Sequence, residues 1–187
     1  MDTQTENKTA NDKLVNRCKK GESKAYKELY ELYSKAMYNI SLRIVNNSED
    51  ANDILQEAFI KAFQSIEKFE NQAAFGGWLK KVIINLSIDI VRKNKQIHVS
   101  TDEIESVNDD EISEEDIVYD VESIRKAIQV LSDGYRVVFT LHLFEEYTHK
   151  EIASMLNISE GTSKSQYNRA KKKIIQLIQQ KTACHEK

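Results

Sequence analysis

Lys164, Ser165, Asn168, Arg169 and Lys172 recur at steps that a helix brings to one side. Their shared chemistry is hydrogen bonding and cation placement. Arg and Lys suit guanine or phosphate, and Asn offers adenine a donor and an acceptor together. Gly161 and Thr162 open the same helix, where exposed amides suit a phosphate. Ser163, Tyr167, Ala170 and Ile174 fall on its other side as an inner face. An element must precede this helix and brace it. Thr148 with Glu151 has capping-box spacing, and Ile152, Ala153 and Leu156 continue it as the buried stripe of a short helix. Asn157-Ile158-Ser159 interrupts the pattern, with Ile158 as a buried turn residue and Ser159 as the next N-cap. A short helix, a turn and a longer polar-basic helix is the helix-turn-helix arrangement that enters a DNA major groove. The same periodicity also describes an amphipathic hairpin whose basic face is merely solvated.

The chain has 187 residues, 40% of them hydrophobic, which allows one domain or two small ones. No apolar run approaches the roughly 20 residues that span a bilayer, so no membrane insertion is expected. The opening segment is polar and lacks the apolar centre of a secretory signal, and the chain reads as cytoplasmic. Cys18 and Cys184 form no CxxC pair, and His98, His142, His149 and His185 show no metal-ligand spacing. Neither metal nor cofactor is expected. Absence of proline and only 5 glycines point to an all-α chain. Net charge is −3 but unevenly spread: +3 over residues 1–95, −10 over 96–120 and +4 over 121–187. Two mildly basic modules therefore flank an acidic segment with ten carboxylates and no cation, read as a flexible linker.

The expected domains are 11–95 and 121–180, with tails at 1–10 and 181–187 and the linker at 96–120. A short helix is expected over residues 11–20. Ser23 is expected to cap a second helix, with Tyr26, Leu29, Tyr30, Tyr33, Met37, Ile40 and Ile44 as a core stripe. Asn46-Asn47 breaks it, and Ser48 is expected to cap a third helix. That helix buries Ala51, Ile54, Leu55, Ala58, Phe59, Ala62, Phe63 and Ile66, and carries Asp50, Asp53, Gln56 and Glu57 on its polar side. After a break near Phe69 to Ala74, loosened by Gly76-Gly77, a fourth helix buries Trp78, Leu79, Val82, Ile83, Leu86 and Ile90. Its exposed side holds Lys80, Lys81, Asn85, Asp89 and Arg92, and it ends in the cluster Arg92, Lys93 and Lys95. Beyond the linker, a helix from Val121 uses Ile124, Ala127, Ile128 and Leu131. A further one, capped by Ser132, uses Val137, Val138, Leu141 and Phe144. The tail after Ile178 is expected to fray.

Two segments together resemble one family. SEDANDILQEAFIKAFQSIEKF (48–69) with FGGWLKKVIINLSIDIVRK (75–93), and LSDGYRVVFTLHLFEEYTHKEIASMLNISEGTSKSQYNRAKKK (131–173), are similar to the extracytoplasmic-function sigma factors of bacterial RNA polymerase. The resemblance implies two helical domains on a linker and no active site, so the chain is not expected to be an enzyme. It implies three partners: polymerase core, promoter DNA and an anti-sigma factor. By the same resemblance, Asp50, Asp53, Gln56 and Glu57 face the polymerase. Lys68, Phe69 and the segment to Gly77, with Asn85, serve the minus-ten element and its flipped base, aided by Lys80, Lys81, Arg92, Lys93 and Lys95. Thr162, Lys164, Ser165, Asn168, Arg169 and Lys172 serve the minus-thirty-five element, with His149 and Lys150 near backbone or in solvent. Phe69 also reads as a core aromatic. Three positions depart from the family pattern: Ser132 for proline, Glu146 for glycine and Ser163 for an inward valine. A free-standing helix-turn-helix regulator is the rival reading, disfavoured because a duplex binder needs no base pocket.

Overall fold

The computed structural model describes residues 12–69, 74–97 and 121–185, with side chains to 94 and 180 in the last helix of each stretch. The described residues hold eight α-helices and no strand. They divide into two compact units, split after Ile90. The expected linker lies outside the described residues.

The first unit opens with α1, residues 12–19. Val15 and Cys18 bury one side of it, and Arg17 forks from its surface to Glu22 and Glu28 at 2.8 Å each. The turn closes on Gly21 at φ 78, a left-handed position that glycine takes without a Cβ penalty. Helix α2 (Ser23–Val45) follows, with Glu22 rather than Ser23 at its N-cap and no side-chain cap. The turn ending at Gly21 brings the chain back to helix one residue early, and the Glu22 side chain is engaged by Arg17. Asn46 ends α2 in the left-handed region at φ 55. Its neighbour Asn47 caps α3 (Ser48–Ser65), accepting from the amides of Glu49 and Asp50. Ser48, the expected cap, is the first helical residue. Asn47 outcompetes it because its longer side chain reaches two amides.

The expected α3 face is buried, apart from a half-buried Phe63. The aromatic stripe of α2 packs on it, Tyr26 edge-on to Phe63 at 5.0 Å and Tyr30 tilted against Phe59 at 4.7 Å. Tyr30 still keeps 39% of its surface, so it borders the core rather than filling it. A single 3-10 turn, Ile66–Lys68, completes α3. Helix α4 (Phe75–Ile97) then starts three residues ahead of Trp78, with Gly76 and Gly77 inside its first turn.

The buried side of α4 is Phe75, Leu79, Ile83, Ile84, Ser87 and Ile88, turned from the expected stripe. Val82, Leu86 and Ile90 are only half-buried. Ser87 explains the turn: its hydroxyl donates to the Ile83 carbonyl at 2.7 Å and lies 3.2 Å from the Ser41 hydroxyl. Two small polar residues thus meet between α2 and α4, a register that counting apolar residues misses. Gly76 serves the same contact, since a Cβ there would lie 2.8 Å from the Tyr33 ring, itself packed on Phe75 at 5.6 Å. Gly76→Ala is therefore expected to lower stability by about 1 kcal/mol, overpacking outweighing the helix propensity gained. Gly77→Ala meets open space and is expected to raise it by about half a kcal/mol. Thermal melts of both variants check the pair, and equal shifts would refute the Tyr33 contact.

The second unit packs α5 (Val121–Val130), α6 (Asp133–Leu143) and α7 (His149–Leu156) onto α8 (Glu160–His185). Ala127, Ile128, Leu131, Phe139, Ala170, Ile174 and Ile178 form its core. Helix α8 continues past Ile178, where fraying was expected, to His185. Ser132 occupies the N-cap of α6 without a side-chain bond. Arg136 braces the same turn in another way: it is 4% exposed, donates to the Leu131 carbonyl at 2.8 Å and pairs with Asp133. Phe144, assigned to the buried stripe, lies just beyond α6 and is 42% exposed; Phe139 is the buried aromatic. Glu146 sits at φ 62 in the turn before α7, which accounts for the glycine this position resembles. Glu146→Gly is expected to stabilise the unit by about 0.5–1 kcal/mol, the strain relieved exceeding the added unfolded-state freedom. An unchanged denaturation midpoint would refute the strain.

Candidate nucleic-acid interface

Helix α7 begins as its sequence dictates. Thr148 and Glu151 close a reciprocal capping box, and Ile152 and Ala153 are buried. Asn157, left-handed at φ 54, ends it. Ser159 caps α8 by accepting from the Thr162 amide at 2.9 Å. Ile158, expected to be buried in the turn, is half-buried.

On α8, Ser163, Ala170 and Ile174 are buried and Tyr167 half-buried, while Lys164, Ser165, Asn168 and Arg169 are exposed. One side of the helix is thus fixed to the unit and the other is presented outward. Within the presented side the groups differ in freedom. Lys164 pairs with Glu160 at 2.7 Å, holding that carboxyl below its ordinary range. The Ser165 hydroxyl donates to the Thr162 carbonyl at 3.0 Å, and the Thr162 hydroxyl lies 2.8 Å from that of Ser159. Thr162 is therefore part of the helix start. Lys172 is half-buried.

Beneath this helix lies a polar cluster that sequence spacing does not show. The His142 and His149 rings stack at 4.2 Å, and Tyr167 closes on both. His149 Nδ1 lies 3.0 Å from the Ser163 hydroxyl. The departure at Ser163 is thereby explained: the hydroxyl that replaces an inward methyl group has a partner. Burial, then the neighbouring His142, pushes the His149 pKa down. His149 thus faces inward, while Lys150 is exposed.

In the first unit, Asp53, Gln56 and Glu57 are exposed on α3 and Asp50 is half-buried in its first turn. Glu57 pairs with Lys61 at 2.6 Å. Lys68 is exposed where the 3-10 turn ends. Phe69 is half-buried, its ring 5.7 Å from Phe75 and 5.4 Å from Trp78, and its carbonyl accepts from Lys19. Trp78, Lys81, Asn85 and Arg92 share one side of α4 by helical spacing. Lys81, Asn85, Arg92 and Lys93 are exposed. Lys80 is half-buried on the far side of the helix from Asn85. Residues 70–73 and the Lys95 side chain lie outside the described residues. No group of three or more metal-binding side chains occurs among the described residues, and no described helix is long and apolar enough to cross a membrane.

A helix-turn-helix unit with a polar-basic outer face, preceded by a separate helical unit with an acidic patch, defines a two-part DNA-binding protein. Comparison with known proteins gives the family. Residues 29–97 match Sigma-70 region 2 and residues 121–174 match Sigma-70 region 4. The chain is 32% identical to the ECF RNA polymerase sigma factor SigW of Bacillus subtilis, covering 85% of this chain and 91% of that one. It is 29% identical to the ECF RNA polymerase sigma-E factor of Escherichia coli K12, covering 89% and 93%. A solved structure of the sigma factor RpoE with the anti-sigma factor NepR from Bartonella quintana shares its fold. That likeness has a TM-score of 0.52 at 21% identity, over 83% of this chain and 98% of that one. The chain belongs to the ECF RNA polymerase sigma factors. Its function is theirs, to direct RNA polymerase to promoters, and the family is not an enzyme class.

Proposed function

We propose a division of that function between the two units. The α3 side bearing Asp50, Asp53, Gln56 and Glu57 docks on polymerase core, where an acidic patch on an otherwise basic unit suits a basic surface. Lys68, Phe69 and Asn85 receive unpaired minus-ten bases, Asn85 reading an edge and Phe69 flooring the site. Lys80, Lys81, Arg92 and Lys93 hold phosphates. Thr162, Lys164, Ser165, Asn168, Arg169 and Lys172 serve the minus-thirty-five duplex. Residues 11–95 and 121–180 are the working domains. The chain has no active site of its own and works in the cytoplasm. The resemblance also carries an anti-sigma partner that holds it inactive; recovery of polymerase alone from unstressed cells would count against that partner.

The exposed Lys164–Arg169 face on a buried Ser163–Ala170–Ile174 seam supports this reading best. The test is transcription with purified protein and core polymerase on promoter templates. Initiation at discrete sites, with permanganate-reactive thymines near each start, is expected. Tight specific duplex binding without polymerase, and no initiation with it, would overturn the reading in favour of a free-standing regulator.

A further inference from the structure

Helix α1 precedes the region 2 match, which begins at residue 29, yet it reaches the proposed minus-ten site. Lys19 donates from its ammonium to the carbonyl of Phe69, fifty residues away in the chain. Phe69 is where the backbone leaves the 3-10 turn: its amide still bonds to the Ile66 carbonyl at 3.2 Å, while its ψ of 105° is extended. Its ring is held separately by Phe75 and Trp78. The lysine thus fixes the one polar backbone group that the ring contacts leave unconstrained. Helix α1 is a firm base for this. Val15 and Cys18 are fully buried, and the Arg17 guanidinium grips both Glu28 oxygens, at 2.8 and 3.1 Å.

We infer that Lys19 is a positioning residue for the minus-ten site, setting through the Phe69 carbonyl where Lys68 and Phe69 stand when unpaired DNA arrives. The inference rests on the proposed role of Phe69 and Asn85 in receiving unpaired bases. A base pocket works only when its walls are held before the base arrives. A charge-assisted bond to a carbonyl does this without filling the pocket.

Lys19→Met, Lys19→Arg and Asn85→Ala holoenzymes are compared on one promoter. Permanganate reactivity reports strand opening, and affinity for polymerase core and thermal melting are followed in parallel. Lys19→Met is expected to lower opening about tenfold, the scale of one lost hydrogen bond to a charged group. Core affinity should be unchanged, and Lys19→Arg should restore opening to within about twofold. A purely structural lysine would instead lower melting temperature and core affinity together with opening, and that result overturns the inference. Full opening in Lys19→Met with impaired opening in Asn85→Ala overturns the tether alone. Full opening in Asn85→Ala overturns the minus-ten site and the inference with it.

Discussion

Phe75→Ala is expected to remove about 3–5 kcal/mol from the stability of the N-terminal unit, the scale of a phenyl deletion in a core that cannot collapse. Phe75 is 1% exposed and is the hub of an aromatic cluster, with Tyr33, Phe69 and Trp78 at 5.6, 5.7 and 6.0 Å. Its surroundings are braced. Gly76 is fixed against Tyr33 and Leu79 is fully buried, so little can move into the space. The loss would reach function through Phe69, whose ring would lose one of its two aromatic neighbours. Trp78 is the only tryptophan and lies in the same cluster, so urea unfolding followed by its fluorescence measures the change where it occurs. A midpoint shift worth less than about 1 kcal/mol would show that the cluster is not the core of this unit.

Much of this fold is legible in the sequence because its helices announce themselves. The Thr148–Glu151 box, the Ser159 cap and the apolar side of α3 rest on local spacing, and local spacing is all that one chain displays. The errors arise where a local rule has two candidates. At both 22–23 and 47–48 the expected serine is the first helical residue and the cap falls one residue earlier, on Glu22 and Asn47. The turned face of α4 has another cause. Ser41 and Ser87 are buried as a polar pair, and no count of apolar residues predicts a serine seam between helices. Arg136 was passed over for the same reason, being a cation on a face that otherwise reads as apolar. Least legible are the long-range contacts at the proposed sites: Lys19 on Phe69, Gly76 under Tyr33 and His149 on Ser163. Nothing near any one of these residues names its partner. The Glu146 turn is a milder case: the departure from a glycine pattern was visible in the sequence, and the positive φ behind it only in the structure.

Promoter discrimination is expected to collapse most sharply on changes at Asn168 and Arg169. Lys164 is held by Glu160 and the Ser165 hydroxyl is bonded back to its own helix, so each must exchange a partner before touching DNA. Asn168 and Arg169 are exposed one turn further along and carry the groups best suited to base edges, an amide with both hydrogen-bonding roles and a planar fork. Each good bidentate base contact is worth about 1–3 kcal/mol of discrimination, or roughly 5- to 150-fold. Asn168→Ala or Arg169→Ala should therefore lower transcription by that range on the preferred promoter. The loss should shrink on promoters altered at the one base pair that the missing side chain reads. Lys172→Ala is the contrast. A half-buried cation further along the helix suits phosphate, and its loss should weaken all promoters alike and lower the salt slope by about 1. Transcription across single-base promoter variants at two salt concentrations separates the two patterns. A uniform loss for Asn168 and Arg169, with the salt slope changed as for Lys172, would show that this face grips the duplex without reading it.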